Sequence, residues 1–146
     1  MKTKDYTLKI LVKQSPKEVF EAINKVRGWW QGEFDGSSNK LNDEFSYRMA
    51  DIHFSKQKVV ELIPNEKIVW LVTESKLNFI DHKNEWTGTK IIFEISQINN
   101  KTQIKFTHQG LVPQVECYDA CANAWDMLVK ESLLSLITSG KGKKVF

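Results

Sequence analysis

The spacing of the apolar residues changes near residue 113, and this change limits the fold more than any other feature. Upstream, as far as residue 110, apolar and polar side chains largely alternate, as in strands that bury one face. Between Pro113 and Ser139 the apolar residues recur instead at helical spacing. They are Tyr118, Cys121, Trp125, Leu128, Val129, Leu133, Leu136 and Ile137. The sequence therefore predicts a sheet closed by one long C-terminal helix that ends at Gly140.

Two earlier segments complete the predicted order of elements. Residues 6–12 alternate apolar and polar side chains, which predicts a strand. Residues 15–18, Ser-Pro-Lys-Glu, form a capping-box signature with proline at the first helical position, which predicts a short helix ending near residues 24–28. Trp29 and Trp30 follow directly. Because adjacent side chains cannot both point inward, we expect Trp30 to be buried and Trp29 to face outward.

Short turns separate the strands that follow, which is typical of an antiparallel meander. The turn signals are Pro64-Asn65-Glu66 and Asn99-Asn100-Lys101. Alternation fails in residues 52–62, where Lys56 and Lys58 share parity with apolar residues, and this predicts a β-bulge or an overhanging strand end.

These elements together predict an α+β fold in one domain over residues 1–146. A curved antiparallel sheet wraps around the long C-terminal helix, with two short helices near the N-terminus. The space under the concave face of such a sheet is larger than one helix fills. We therefore expect an internal apolar cavity, which is the structural basis for a binding function.

Composition excludes several classes of function. The net charge is only +3 and the basic residues are spread along the chain, so no nucleic-acid partner is expected. The one basic cluster, Lys141, Lys143 and Lys144, is interpreted as a frayed, solubilising end. No run of about 18 apolar residues exists, so no membrane insertion is expected. Cys117 and Cys121 are interpreted as reduced thiols, and with no signal peptide evident the expected location is cytoplasmic.

The candidate ligand-binding residues are mainly aromatic and come from different elements. Their rings suit a pocket for a small apolar or aromatic molecule, which indole N–H and phenol O–H groups orient. The alternative for each single ring is that it fills the core. The candidates are Trp30, Tyr47, Trp70, Phe79, Trp86, His108, Cys121 and Trp125.

His108 is the most suggestive polar residue in this set. It shares a strand face with Ile104 and Phe106, so we expect it to point toward the cavity. A neutral imidazole there is suited to hydrogen-bond a ligand or to act as an acid or base. The alternative is a core histidine bonded to a backbone carbonyl.

No metal site and no organic cofactor are expected. Two histidines and two aspartates supply ligand atoms, but no spacing brings three or four of them together. His53 in particular falls on the outer side of a simple alternation. These residues are Asp51, His53, Asp81 and His82.

The order of several local strings resembles a known superfamily. The strings are Ser15-Pro16-Lys17-Glu18-Val19-Phe20, Gly28-Trp29-Trp30, Val59-Val60-Glu61-Leu62-Ile63-Pro64, Lys67-Ile68-Val69-Trp70, Gly88-Thr89-Lys90-Ile91 and Thr107-His108-Gln109-Gly110-Leu111. With the closing helix that carries Trp125, the chain resembles the START-like, or SRPBCC, helix-grip superfamily over about residues 5–140. Within it, the chain is similar to bacterial proteins that resemble the activator of heat-shock-protein ATPase.

This resemblance implies a helix-grip fold with a cavity, but no single activity, because the superfamily includes lipid carriers, polyketide cyclases, hydroxylase subunits and co-chaperones. Our leading hypothesis is the binding of a small hydrophobic or aromatic ligand. One alternative is a cyclase- or hydrolase-type enzyme with His108 as acid–base and Tyr47 or Trp70 holding the substrate. Another is a chaperone-interacting module, which the family label suggests. Pairing as a homodimer is also implied.

Overall fold

The computed structural model describes residues 4–145 and contains a seven-stranded antiparallel sheet. The strands are β1 (Tyr6–Val12), β2 (Glu33–Gly36), β3 (Glu44–Met49), β4 (His53–Ile63), β5 (Lys67–Leu77), β6 (Lys90–Ile98) and β7 (Lys101–Gln109). Their order across the sheet is β1-β7-β6-β5-β4-β3-β2. Strands β2 to β7 therefore form the predicted meander, and β1 pairs with β7 at one edge.

The tightest turn joins β6 to β7 and follows from its sequence. Asn99 and Asn100 both have positive φ, 49° and 68°. Asparagine tolerates this left-handed conformation better than most residues, and a two-residue turn of this kind matches the twist of the strands it joins. Ile98 consequently pairs with Lys101, which confirms the predicted turn.

Two short helices, α1 (Pro16–Asn24) and α2 (Val26–Trp29), follow β1. The predicted capping box begins α1: the Ser15 hydroxyl accepts from the Glu18 N–H, and the Glu18 carboxylate accepts from the Ser15 N–H. The helix buries Val19 and Ile23 completely.

The expectation that Trp29 faces outward is wrong. Trp29 is 1% exposed and Trp30 is 2% exposed. Trp29 is the last residue of α2, whereas Trp30 has extended backbone angles. Because the chain changes conformation between them, both rings turn inward, and the Trp29 indole donates to the Ile23 carbonyl.

The irregularity expected in residues 52–62 is present. The pairing of β4 with β5 shifts register between Lys56 and Gln57 and again between Val59 and Glu61. Ser55, Gln57 and Val59 are the fully buried positions of β4. The inward-facing residues are therefore odd-numbered, whereas the alternation counted from Ile52 puts the even-numbered residues inward.

The closing helix begins at Tyr118, later than the sequence predicts, and runs to Ser139. It consists of α3 (Tyr118–Met127), a π-helical segment (Leu128–Leu133) and α4 (Leu134–Ser139). Gly140 ends it in a left-handed conformation with φ 85°, as expected of a C-terminal glycine. The helix packs into the curve of the sheet, where the Trp125 and Phe106 rings lie 4.7 Å apart.

The basic tail is attached to the fold, contrary to the expectation of a frayed end. The backbone N–H of Lys143 donates to the Ser132 hydroxyl, and that of Val145 donates to the Gln31 side chain. A β-carbon at Gly142 would lie 2.2 Å from the Gly28 carbonyl oxygen, so this close approach requires glycine.

Within residues 4–145, no helix has both the length and the apolar character needed to cross a membrane.

Candidate functional site

An apolar cavity of about 140 Å³ lies between the closing helix, the β3–β4 turn and the irregular loop of residues 78–89. Its walls come from elements far apart in sequence, which the curved sheet brings together. The lining residues are Trp30, Tyr47, Met49, Ile52, His53, Phe79, Trp86, Ala120, Cys121, Ala124, Trp125 and Leu128.

The cavity has a mouth and a closed end. Ile52 and Phe79 are 52% and 42% exposed, so these two large apolar side chains border solvent. At the other end, Trp30 and Trp125 are almost completely buried.

The structure gathers Trp30, Tyr47, Phe79, Trp86, Cys121 and Trp125 around this cavity. The other two candidates, Trp70 and His108, do not line it, although both are fully buried. Whether any of these side chains contacts a ligand stays a prediction. Six lining residues are not among the candidates from the sequence: Met49, Ile52, His53, Ala120, Ala124 and Leu128.

The aromatic side chains of the wall support one another. The Trp30 ring stacks on Tyr47 with centroids 4.3 Å apart, and it lies 5.1 Å from Trp125. Trp86 stacks on Trp125 at 5.7 Å with an angle of 14° between the planes. Such contacts stabilise the rings beyond the burial of their surface, so the closed end is a rigid wall.

The Tyr47 hydroxyl is held by a hydrogen bond to the backbone, because it donates to the Gln31 carbonyl. Burial raises the pKa of Tyr47 against a smaller opposing effect of the Trp30 indole, so the phenol is neutral. Its proton is already committed to a backbone oxygen.

His108 lies behind this wall in a hydrogen-bond chain. The Trp125 indole donates to His108 Nδ1 at 3.0 Å, and the Thr89 hydroxyl lies 2.8 Å from His108 Nε2. Thr89 donates its own proton to the Trp86 carbonyl at 2.6 Å. Nδ1 must therefore be the acceptor, and Nε2–H donates to Thr89.

This arrangement is poorly suited to acid–base chemistry. Burial lowers the pKa of His108 to about 3, and both ring nitrogens are occupied by side chains. His108 is thus a core histidine with two side-chain partners, whereas the alternative drawn from the sequence gave it a backbone carbonyl. Its role in the structure is to hold Trp125 and the loop of residues 78–89 in place.

His53 is the histidine that reaches the cavity. Its Nε2 lies 3.2 Å from the Ser55 hydroxyl, which also accepts from the Gln57 amide. Burial lowers the pKa of His53 to about 4, so the ring is neutral at physiological pH. None of the lining residues is an aspartate, glutamate, lysine or arginine.

Cys117 and Cys121 are free, buried thiols at the start of α3. They lie one helical turn apart, and the Cys121 N–H bonds to the Cys117 carbonyl. The Cys117 thiol, followed by the Trp86 indole N–H, lowers the pKa of Cys121 against the opposing effect of burial. Cys121 lines the cavity and Cys117 does not.

Two carboxylates join the mouth to the closing helix on the outer surface. Glu116 accepts from the backbone N–H groups of Asp81 and His82 at 3.1 Å. Glu85 accepts in return from those of Glu116 and Cys117 at 2.7 and 2.9 Å. We call this reciprocal set, Glu85 and Glu116 with their backbone donors, the carboxylate clamp.

The clamp also brings together potential metal ligands. His82, Glu85 and Glu116 each place one ligand atom within 4.8 Å of the others. The carboxylates are already engaged by backbone donors, so their contacts in the structure are explained without an ion.

Solved structures share this fold. A solution structure of the Aha1 dimer from Colwellia psychrerythraea has a TM-score of 0.75 and 23% identity, covering 95% of this chain and 99% of that one. The Mll3558 protein from Rhizobium loti has a TM-score of 0.73 at 15% identity, with 93% and 97% covered. SSP2350 from Staphylococcus saprophyticus has a TM-score of 0.72 at 15% identity, with 98% of each covered. At these identities the likeness shows the fold alone.

No curated protein matches the sequence. The family model described as "Activator of Hsp90 ATPase homolog 1-like protein" matches residues 13–137, which is most of the 146 residues. The resemblance noted from the local strings is thereby confirmed. The chain belongs to the family of Activator of Hsp90 ATPase homolog 1-like proteins, within the START-like superfamily.

Proposed function

We propose that this protein binds a small apolar or aromatic molecule, about the size of one ring, in the cavity beside Trp125. The observation that carries the proposal is a cavity of about 140 Å³ with uncharged, largely aromatic walls. An engineered apolar cavity of about 150 Å³ stays dry and binds benzene. Clefts that take drug-sized ligands are larger, about 300–1,000 Å³. A single ring therefore suits this site better than a long-chain lipid.

The direct test is titration of toluene into the purified protein, followed by calorimetry and by native mass spectrometry. We expect saturable binding to one site. Ala124 lies in the helical wall of the cavity, so Ala124→Leu fills the space and should weaken toluene binding at least tenfold. Asn123→Leu is the matched control, because it places the same side chain on the exposed side of the same helix.

The proposal fails if toluene does not bind, or if both variants bind it as well as the original protein does. Organic extraction of freshly purified protein adds a second readout. A co-purifying compound of one-ring size would support the proposal and supply the chemical class.

The enzymatic alternative is not favoured, because the hydrogen bonds of His108 are all made within the core. A chaperone partner, a homodimer and the cytoplasmic location stay predictions. The similar Colwellia protein is described as a dimer, which motivates a light-scattering measurement of the mass of this protein in solution.

A further inference from the structure

Three tryptophans line the cavity. The Trp125 indole donates to His108 Nδ1 at 3.0 Å, so this N–H is not free for a ligand unless an existing buried hydrogen bond breaks. The Trp30 ring stacks on Tyr47 with centroids 4.3 Å apart.

The third tryptophan is different. Trp86 is 4% exposed, and its Nε1 has no hydrogen-bond partner among the residues that the structure describes. The Trp86 indole N–H lowers the pKa of the Cys121 thiol, and both residues line the cavity. A thiol sulfur is only a weak acceptor. A buried donor left unpaired is unfavourable, and a ligand that supplies an acceptor removes this penalty.

The rest of the wall restricts what else the ligand carries. His53 is neutral, and its Nε2 lies beside the Ser55 hydroxyl. The Tyr47 hydroxyl already donates to the Gln31 backbone carbonyl. A charged ligand would lose its hydration without gaining an opposite charge. A neutral ligand with one acceptor meets no such penalty.

We propose that the ligand is a neutral, single-ring compound with one hydrogen-bond acceptor, such as an aryl ketone, and that the acceptor binds the Trp86 indole N–H beside Cys121. This inference rests on the proposed function and adds the chemical class to it. The remaining surface of the ligand contacts aromatic and aliphatic side chains.

The experiment compares two probes of nearly equal shape, acetophenone and α-methylstyrene, in which a carbonyl replaces a terminal =CH₂ group. We expect the original protein to bind acetophenone about tenfold more tightly, a typical gain for one buried hydrogen bond. Trp86→Phe keeps a ring but removes the N–H, so it should abolish the preference while α-methylstyrene still binds.

Trp70→Phe is the matched control. The Trp70 Nε1 is likewise buried without a partner in the described residues, but Trp70 does not line the cavity. This variant should keep the tenfold preference. A preference that disappears in both variants would point to a general loss of packing and would overturn the assignment to Trp86.

A measurement on the unsubstituted protein guards against a variant that fails to fold. In a ¹H–¹⁵N spectrum, assigned through bonds, acetophenone should move the Trp86 indole proton downfield, whereas α-methylstyrene should not. An unmoved Trp86 proton, or equal affinity for the two probes, overturns the inference while the binding function stands. Failure of both probes to bind overturns the binding function as well.

Discussion

The loop of residues 78–89 is held from two sides by hydrogen bonds of opposite character. On its inner side, Thr89 and the Trp86 carbonyl join the buried, neutral chain through His108 to Trp125. On its outer side, the carboxylate clamp uses charged, solvent-accessible groups. One loop is therefore positioned both by a core that tolerates little change and by a surface contact that is easily adjusted.

The physical reason is desolvation. An unpaired polar group in the interior cannot be rescued by water, so each member of the inner chain depends on its neighbours. An exposed carboxylate that loses its partner is rehydrated, and charged contacts at the surface are also screened by salt. We therefore expect the inner side to govern global stability and the outer side to govern local opening.

The largest loss of stability is expected from removing the Trp125 ring, which belongs to the buried hydrogen-bond chain on the inner side of the loop. Trp125→Ala deletes a ring that is 1% exposed and leaves His108 Nδ1 without its donor. The free energy of unfolding should fall by about 3–5 kcal/mol. Urea denaturation followed by circular dichroism measures this. A loss below about 1 kcal/mol would contradict the central role of Trp125.

Acid should destabilise the buried region around His53 and His108 before it disrupts the carboxylate clamp. Burial lowers the pKa of His53 to about 4 and that of His108 to about 3, whereas unfolded histidine has a pKa of about 6.5. Below about pH 6.5 the unfolded chain therefore binds more protons than the folded one. The free energy of unfolding should fall by up to about 1.4 kcal/mol per pH unit for each histidine, down toward pH 4.

The clamp should persist over this range. The backbone N–H groups of Asp81 and His82 lower the pKa of Glu116, which consequently keeps its charge. Urea titrations at successive pH values give the slope, and His53→Gln should reduce it by about the contribution of one histidine. A stability that stays flat between pH 6.5 and pH 4.5 would show that neither imidazole is buried as described.

An intermediate effect is expected at the link between the loop and His108. Thr89→Val keeps the shape but removes the hydroxyl that bonds His108 Nε2 and the Trp86 carbonyl. We expect a loss of about 1–3 kcal/mol in the free energy of unfolding. Thr87→Val is the control, since the Thr87 hydroxyl makes only a solvent-exposed hydrogen bond, with Ser75, among the described residues, and its loss should change stability by less than about 0.5 kcal/mol.

The smallest global effect is expected on the outer side. Glu116→Gln weakens the acceptor of the Asp81 and His82 N–H groups, so those two amides should exchange with deuterium severalfold faster while the unfolding midpoint barely moves. Glu94→Gln, at an exposed position of β6, should leave their exchange unchanged. A large fall in the midpoint for Glu116→Gln would erase the distinction between the two sides.

The sequence sufficed for the sheet, the closing helix and half of the residues that line the cavity, because periodicity and turn residues are local signals. It failed at His53 for an identifiable reason. Counting alternate positions from Ile52 puts His53 outside, but Ile52 lies in the turn before β4 and is half exposed, whereas the buried positions of β4 share the parity of His53. Lys56 and Lys58 share parity with apolar residues, which indicates an irregularity within residues 52–62 but not its position.

Long-range hydrogen bonds were beyond this reasoning. Glu85 and Glu116 lie 31 residues apart in two irregular segments, and neither segment has a sequence pattern that predicts a contact with the other. The partners of His108 are similar: its facing could be read from β7, but Trp125 and Thr89 come from a different helix and loop. Alternation predicts which way a side chain points, not what it meets there.

The π-helical segment at Leu128–Leu133 changes the phase of the closing helix. It accommodates one residue more than an α-helical turn, equivalent to a rotation of about 100° for everything that follows. Up to the first residue of the segment, Cys121, Trp125 and Leu128 line the cavity. Further along the segment, Ser132 instead donates to the Trp29 carbonyl. A relative whose closing helix is α-helical throughout would therefore need a one-residue gap here, and an ungapped alignment would assign cavity-facing positions to the wrong side of the helix.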